Sequence, residues 1–229
     1  MRRPGRRRLL RLAGVLAGVL YSGFALDWVL RGFEGMTHVV SELAAVGEPH
    51  AVLLRSADGA CAVLVLLVLP EAGAALPEGR WRRGMVWGTA TFALGAAAAA
   101  VVTAPCGPGV VCDAPGQRRQ AAVHDAITVA SDLGLFVGVA AAWAATRREG
   151  PAWLHRTSGW VLAVPGVAAS VVFGAVTAGH GPGWASGGAQ RVHIVGISVW
   201  LVCLGLLAGR ETGDQDVTWR SPHREGRPG

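Results

Sequence analysis

The chain has 229 residues, of which 52% are apolar and only 16% are charged, against about 25% charged residues in a typical soluble domain. All 21 basic residues are arginine, and with 15 acidic residues they leave a formal net charge of +6. Because the arginines are spread along the chain and form no continuous stripe, the charge argues against a nucleic-acid partner. The composition excludes an ordinary soluble domain and indicates an integral membrane protein.

A helix needs about 20 apolar residues to cross a bilayer, and six stretches of the chain approach that length. They are residues 9–30, 51–69, 85–104, 124–145, 157–179 and 192–208. Proline lacks the N–H donor that continues a helix, so we expect Pro70 and Pro105 to end the second and third spans and Pro165 to kink the fifth. The predicted fold is an all-α polytopic bundle of six transmembrane helices.

The arginines indicate how this bundle sits in the membrane. Sixteen of them fall on one side of the predicted spans, in residues 1–11, 80–83, 147–156 and 210–227. Short loops rich in arginine stay in the cytoplasm, and arginine without lysine suggests a GC-rich bacterial genome. We therefore predict a bacterial plasma-membrane protein with both termini cytoplasmic. Its domains are a basic N-terminus (1–8), the six-helix domain (9–209) and a polar tail (210–229) that we expect to be disordered.

The N-terminal segment has two interpretations. An arginine-rich start followed by an apolar run is typical of a signal peptide, and Ser-Gly-Phe-Ala at residues 22–25 is similar to a cleavage site. The apolar run is longer than an ordinary signal core, however, and retaining it gives an even number of spans. We therefore favour an uncleaved first helix.

Small residues predict where the helices pack. Gly14 and Gly18 are four residues apart, as are Gly134 and Gly138, and Gly95 precedes a run of alanines. Small side chains let helix backbones approach closely in a membrane, where lipid provides no hydrophobic drive for association. We expect these glycines to lie at contacts between helices.

Polar side chains collect in the outer halves of the second, fourth and sixth spans. The predicted cluster comprises Arg55, Asp58, His124, Asp125, Thr128, Ser131, Asp132, Arg191 and His193. At about 100° per residue, its members on the fourth helix share an arc of roughly 120°, which we expect to face protein or water. A carboxylate near mid-membrane costs about 2.5–3.5 kcal/mol, so Asp132 should be paired or functional.

Two interpretations of this cluster stay open. In the first, Arg55 pairs with Asp58 and Asp132 in a buried salt-bridge network that fixes the register of the helices. In the second, the cluster lines an outward-opening cavity that binds a metal ion, a lipid headgroup or a proton.

A metal in such a cavity would be zinc, which takes nitrogen and oxygen ligands. The ligand candidates are His124, Asp125 and His193. The sequence lacks the pair of histidines three or four residues apart that is typical of metal sites on helices. Zinc is the one cofactor that the residues suggest.

Cysteines in the predicted loop between the third and fourth spans have three interpretations. Cys106 and Cys112 flank a Gly/Pro-rich turn. The three alternatives are a disulfide between them, two free thiols, and a metal site. We favour the disulfide because the outer face of a plasma membrane is oxidising. Cys61 and Cys203 lie within spans, where we expect them to act as packing residues.

The first outer loop, residues 31–50, carries a second group of ionisable side chains. They are His38, Glu42, Glu48 and His50. These side chains form either a lid over the outer cavity or a solvated face, and we favour the solvated face.

Several segments carry a resemblance to a known family. Residues 41–50 read SELAAVGEPH and residues 53–59 read LLRSADG. The cysteine pair of the second outer loop, His124-Asp125 and Gln190-Arg191 are further similarities. Over about residues 12–210 the chain resembles the bacterial membrane proteins catalogued as domain of unknown function 998. The resemblance implies a six-helix bacterial membrane protein without an assigned activity, and it brings no catalytic residues with it.

The chain is also similar, more loosely, to the alkaline ceramidase and adiponectin-receptor group of membrane hydrolases, which place Ser, His and Asp around a membrane-embedded zinc. The corresponding residues here are Ser41, His124, Asp125 and His193. The chain departs from that group in having six predicted spans instead of seven and no His-x-x-x-His motif near its end.

We therefore consider three hypotheses for the function. Only one of them makes the protein an enzyme, so that question stays open. In the first, it binds a membrane lipid or a small ligand in the outer cavity. In the second, it is a metal-dependent hydrolase of a lipid headgroup, with His124 and His193 as ligands and Asp125 or Asp132 as base or ligand. In the third, it is a small proton-coupled carrier that uses Asp58 and Asp132, although no inverted repeat is evident.

Overall fold

The structure is a computed structural model that describes residues 4–33, 37–148, 150–180, 182 and 184–210. These residues are helical throughout apart from turns and short loops, with no strand among them. The predicted disordered tail, beyond Arg210, lies outside the described residues, as do residues 1–3. The predicted all-α bundle is confirmed.

The helices follow one another with short connections. In chain order they are α1 (Pro4–Tyr21), α2 (Phe24–Leu30), α3 (Val40–Leu43), α4 (Ala51–Ala74), α5 (Arg80–Val101), α6 (Pro115–Ala145), α7 (Ala152–Val161), a π-helical segment (Leu162–Ala168), α8 (Ala169–Thr177) and α9 (Trp184–Ala208). Five stretches in the described part are long and apolar enough to cross a membrane, and α1 with α2, bent by 47°, supplies a sixth. The chain is an integral membrane protein.

Several predicted boundaries are wrong. The second span does not end at Pro70, because α4 continues to Ala74; transmembrane helices tolerate proline where neighbouring groups satisfy the freed backbone. The third helix ends at Val101, before Pro105. Helix α6 begins at Pro115 instead of residue 124, and α9 at Trp184 instead of residue 192. The predicted boundaries mark where the apolar residues begin and end. The helices α6 and α9 extend beyond those points because their backbone hydrogen bonds continue through the flanking polar residues.

The disturbance predicted at Pro165 takes the form of a π-helical turn in the fifth span. Proline offers no N–H, and a π-bulge is a common way for a helix to absorb that loss. Pro165 is buried against Gly196 of α9, where a side chain would collide with the proline ring. The distorted turn is therefore held directly against α9.

Glycines bring helix backbones into contact, as predicted. A Cβ atom at Gly88 of α5 would lie only 2.6 Å from the backbone nitrogen of Gly138 in α6. One at Gly14 of α1 would lie 2.5 Å from the Cα atom of Gly205 in α9. Cys61 and Cys203 are buried within this packing, as expected of packing residues.

The outside of the bundle is apolar, as expected of a surface that faces lipid. Large side chains that are more than half exposed include Val63, Leu67, Leu94, Leu133, Val137 and Val171. A soluble protein would bury most of these groups, since exposed apolar patches of that extent are rare in water.

The two ends of the bundle differ. One, the arginine end, holds the start of α1 beside the end of α4, where Arg6 pairs with Glu71 at 2.6 Å. There Arg11 also donates to the carbonyl of Gly209 at 2.8 Å. The other, the disulfide end, carries Cys106 and Cys112, which are bonded to each other.

Candidate functional site

A cavity lies inside the bundle near the disulfide end, with a volume of about 130 Å³. We call it the polar cavity. Seven of the nine side chains in the predicted cluster line it: Arg55, Asp58, His124, Thr128, Ser131, Asp132 and His193. Its size is close to that of an engineered cavity of about 150 Å³ that binds benzene. It therefore has room for a small headgroup and not for a whole lipid.

One face of α6 forms a wall of the polar cavity. His124, Thr128, Ser131 and Asp132 all lie on that wall. Asp125 does not line the cavity and is exposed, because it sits at the edge of the predicted arc. Ser131 is buried and donates to the carbonyl of Phe92 at 3.0 Å, which joins α6 to α5.

Asp132 pairs with His193 of α9 and not with Arg55. The distance between His193 Nε2 and Asp132 Oδ2 is 3.0 Å, and His193 Nδ1 lies 2.9 Å from the carbonyl oxygen of Pro165. That carbonyl belongs to the π-helical turn of the fifth span. A single side chain thus joins α6, α9 and the distorted fifth span.

This geometry fixes how many protons the pair holds. A carbonyl oxygen only accepts, so Nδ1 of His193 carries a hydrogen. A neutral imidazole has one N–H, and the contact between Nε2 and the carboxylate therefore needs a second proton, on His193 or on Asp132. The pair has no net charge in either case, which lowers the cost of placing it inside a membrane.

Arg55 and Asp58 line the polar cavity from α4. Within the described ranges, neither side chain makes a hydrogen bond or an ion pair. The salt-bridge network predicted between Arg55, Asp58 and Asp132 is therefore wrong. A cation and an anion are left facing the same small space.

His124 has a structural partner. Its Nδ1 donates to the carbonyl oxygen of Val102 at 2.6 Å, and Gln120 donates to the next carbonyl, that of Thr103, at 2.9 Å. These bonds hold the end of α5 where the chain leaves the helix. The Nε2 atom of His124 is buried, with no hydrogen-bond partner in the described part of the chain.

Residues 37–50, the cap segment, line the polar cavity at its disulfide end through Val40, Ser41 and Ala44. The N–H of Val40 donates to the side-chain oxygen of Gln190 on α9. Arg191 donates to the carbonyl oxygens of His38 at 2.8 Å and Gly187 at 2.9 Å. Arg191 therefore fastens the cap segment and does not line the cavity, contrary to the prediction.

A buried ionic cluster also holds the cap segment. Asp27 is fully buried and accepts from Arg31 Nε at 2.9 Å, while His50 Nδ1 lies 3.0 Å from its other oxygen. Arg31 extends to Glu48 at 3.2 Å and to the carbonyl oxygen of Pro49 at 2.6 Å. The predicted solvated face is wrong for Glu48, which is 24% exposed and bound to Arg31, whereas His50 bonds to Asp27 and is still 36% exposed.

The other two ionisable side chains of the predicted first loop pair with each other and stay outside this cluster. His38 Nδ1 and Glu42 Oε2 lie 3.5 Å apart, and each side chain is more than a third exposed. Partial burial raises the pKa of the Glu42 carboxyl, and the neighbouring His38 opposes that shift. This pair lies on the outer surface of the cap segment.

The predicted metal ligands do not come together. His124 and His193 each turn one ring nitrogen to a backbone carbonyl, and Asp125 lies outside the polar cavity. Among the residues that the structure describes, no group of three or more His, Cys, Asp and Glu side chains is placed to hold a metal ion.

Four polar residues that line the cavity are missing from the predicted cluster: Tyr21, Ser41, Thr103 and Gln190. Tyr21 lines the cavity where α1 ends and packs edge-to-face on Phe92, with ring centroids 5.2 Å apart. Gln190 lines it from α9. Tyr21 is the one tyrosine of the chain and directly precedes the Ser22-Gly23 break, and that position is the signal that could have identified it.

Comparison with known proteins identifies a family and no activity. A family model described as "Protein of unknown function (DUF998)" matches residues 12–207, which include every residue of the polar cavity. No curated protein and no solved structure matches the chain.

Proposed function

The chain belongs to the DUF998 family, and we propose that it is a plasma-membrane protein whose polar cavity opens outward and binds a lipid headgroup or a small polar ligand. Both termini lie in the cytoplasm in this proposal. The arginine end suits the cytoplasmic side because basic loops are retained there. The disulfide end suits the exterior, where thiols are oxidised.

One observation carries the proposal: Arg55 and Asp58 face a cavity of about 130 Å³ without a protein partner in the described part of the chain. Unpaired charges inside a membrane protein are costly and usually functional. A purely structural cluster would pair these charges with each other or with Asp132, as the charged side chains of the Asp27 cluster do. A ligand with polar groups would supply the missing partners.

Filling the polar cavity should abolish ligand binding. Ala99 lines the cavity, and Ala99→Phe would occupy much of its volume. We expect native mass spectrometry of the detergent-purified protein to show dioctanoyl phospholipids bound to the wild type. Binding to the variant should be at least about tenfold weaker, a difference of about 1.4 kcal/mol.

The matched control for this substitution is Leu94→Phe on the same helix. Leu94 is 62% exposed toward lipid, so a larger side chain there should leave binding unchanged. Equal phospholipid binding by the Ala99→Phe and Leu94→Phe proteins would contradict a ligand site in the polar cavity.

The bond from His193 to both Asp132 and Pro165 favours a second candidate, the proton-coupled carrier. Losing the shared proton would break one of these two bonds, and with it the link between α6 and the π-helical turn. The protonation state of the His193–Asp132 pair is thereby coupled to the position of the fifth span. His124, Arg55 and Asp58 line the same cavity and would sense the change in charge. No comparable observation favours the metal-dependent hydrolase.

In the carrier, Asp132→Asn should stop proton movement because an amide cannot exchange the proton with His193. The measurement is the decay of an imposed pH gradient in proteoliposomes, followed by an internal dye. Asp125→Asn is the matched control, since Asp125 is exposed on the same helix and outside the cavity. A wild-type decay no faster than that of protein-free liposomes, or one that Asp132→Asn leaves unchanged, would eliminate the carrier.

A further inference from the structure

An apolar groove of about 560 Å³ runs beside the polar cavity, between α1, α2, α4 and α9. It exists because the first span is broken: α1 and α2 meet at an angle of 47°. Ser22 at the break donates to Ser198 of α9 at 2.8 Å, which holds the bend against that helix. The groove and the polar cavity share Leu20, Gly23 and Leu54 in their walls, so the two spaces adjoin.

The groove opens sideways to the bilayer. Val19, Leu26 and Val195 line it and are 63%, 54% and 45% exposed. In a chain that spans a membrane, apolar side chains exposed at this depth touch acyl chains. The groove therefore offers a site for one acyl chain, with a polar space at its inner edge. A ligand that fills both spaces is a lipid and not a free solute.

The two unpartnered charges define the headgroup of that lipid. Arg55 and Asp58 are three residues apart on α4, so their Cβ atoms are about 5–6 Å apart on one helix face. A guanidinium matches the geometry of a phosphate group, with which it can make two parallel hydrogen bonds. A carboxylate matches a group that carries N–H donors and a positive charge. The complementary headgroup contains a phosphate and a nearby ammonium.

A primary ammonium fits better than a quaternary one. Only the primary group has N–H donors for the carboxylate of Asp58, and the small volume of the polar cavity disfavours three extra methyl groups. An anionic headgroup without an ammonium would leave Asp58 facing a second negative charge. The quaternary group leaves Asp58 without a hydrogen-bond donor, and the anionic headgroup leaves it without an opposite charge; both are costly away from water.

We propose that this protein binds an aminophospholipid, with its phosphate at Arg55, its primary ammonium at Asp58 and one acyl chain in the groove. This inference rests on the proposed function, because it assigns the ligand of the same cavity.

The test compares dioctanoyl forms of phosphatidylethanolamine, phosphatidylcholine and phosphatidylglycerol by native mass spectrometry of the detergent-purified protein. Phosphatidylethanolamine should bind at least about tenfold more tightly than the other two. Asp58→Asn should remove its advantage over phosphatidylglycerol, and Arg55→Gln should weaken both. Asp125→Asn, at an exposed site on α6, should change nothing. Equal binding of the three lipids, or tighter binding of phosphatidylglycerol, would overturn the headgroup assignment.

The groove needs a separate comparison. Ala57 lines the groove and not the polar cavity, so Ala57→Phe should weaken phosphatidylethanolamine binding. Free phosphoethanolamine should bind more weakly than the lipid, and Ala57→Phe should leave its binding unchanged. Binding of phosphoethanolamine as tight as that of the lipid would overturn the acyl-chain site.

These measurements distinguish a wrong headgroup assignment from a wrong ligand site. Suppose that phosphatidylglycerol binds best and that Ala99→Phe blocks it; the polar cavity is then a ligand site, and only the choice of headgroup is wrong. If instead Ala99→Phe changes the binding of none of the lipids, the proposed function fails as well.

Discussion

Gly88→Ala is expected to destabilise the protein by about 1–3 kcal/mol, the range measured for overpacked cores. A methyl group at this position would meet backbone atoms of Gly134 and Gly138, the nearest nitrogen at 2.6 Å. Backbone cannot rotate away as a side chain can, so α5 and α6 would have to separate. Thermal unfolding in detergent, followed by tryptophan fluorescence, should show a lower midpoint for the variant.

The same substitution at Gly59 is the matched control. Gly59 lies inside α4, and a Cβ atom there would meet nothing within 4 Å. Alanine stabilises a helix interior by roughly 0.5–1 kcal/mol relative to glycine, so Gly59→Ala should raise the midpoint. The two alanine variants should therefore shift in opposite directions. A Gly88→Ala protein as stable as the Gly59→Ala protein would refute the tight contact between α5 and α6.

Asp27→Ala is expected to cost about 3 kcal/mol, the lower end of the range for a broken buried ion pair, because Arg31 loses its buried carboxylate partner and keeps only Glu48 at 3.2 Å. Asp27 is fully buried, and the side chain of Arg31 is only 13% exposed. The loss should also loosen the cap segment, since the cluster connects α2 to Glu48 and His50. Hydrogen exchange in residues 37–50 should become faster, alongside a lower unfolding temperature.

Asp125→Ala provides the comparison for this loss. Its carboxylate is exposed and makes no ion pair in the described part of the chain, so neither stability nor exchange in the cap segment should change. If Asp27→Ala unfolded at the wild-type temperature, with unchanged exchange in residues 37–50, the cluster would not be what holds the cap segment.

The positions of the spans could be predicted because a bilayer imposes a length and an apolar composition on every crossing. The face of α6 could be predicted for a similar reason: residues of one helix keep a fixed angular spacing. His124, Thr128, Ser131 and Asp132 therefore lie together in the structure as in the sequence. Asp125 departs from the prediction because it lies at the edge of the arc, where a small rotation of the helix decides its environment.

The pairing of Asp132 with His193 could not be predicted in the same way. It depends on how α6 and α9 are rotated toward each other, and on the π-helical turn that brings the Pro165 carbonyl to the imidazole. Charge alone favoured Arg55 as the partner. Spacing within one helix carries no information about contacts between helices.

The Asp27 cluster could not be predicted because its partners come from a loop. His50 and Glu48 follow Asp27 by more than 20 residues, and their positions depend on the turn of the chain between α2 and α4. Ionisable residues in a polar loop are most often solvated, and Glu48 departs from that expectation because it reaches Arg31, which is bound to the buried carboxylate of Asp27.

Whether the polar cavity opens to the exterior can be measured by the access of a charged reagent to its lining. Thr128 lines the cavity, whereas Val137 of the same helix is 59% exposed on the lipid side. The measurement is labelling of Thr128→Cys and Val137→Cys, without Cys61 and Cys203, by a membrane-impermeant methanethiosulfonate in intact cells. We expect that only Thr128→Cys is labelled and that adding Ala99→Phe prevents this labelling. Labelling of Thr128→Cys in inverted vesicles but not in intact cells would contradict an outward-opening cavity.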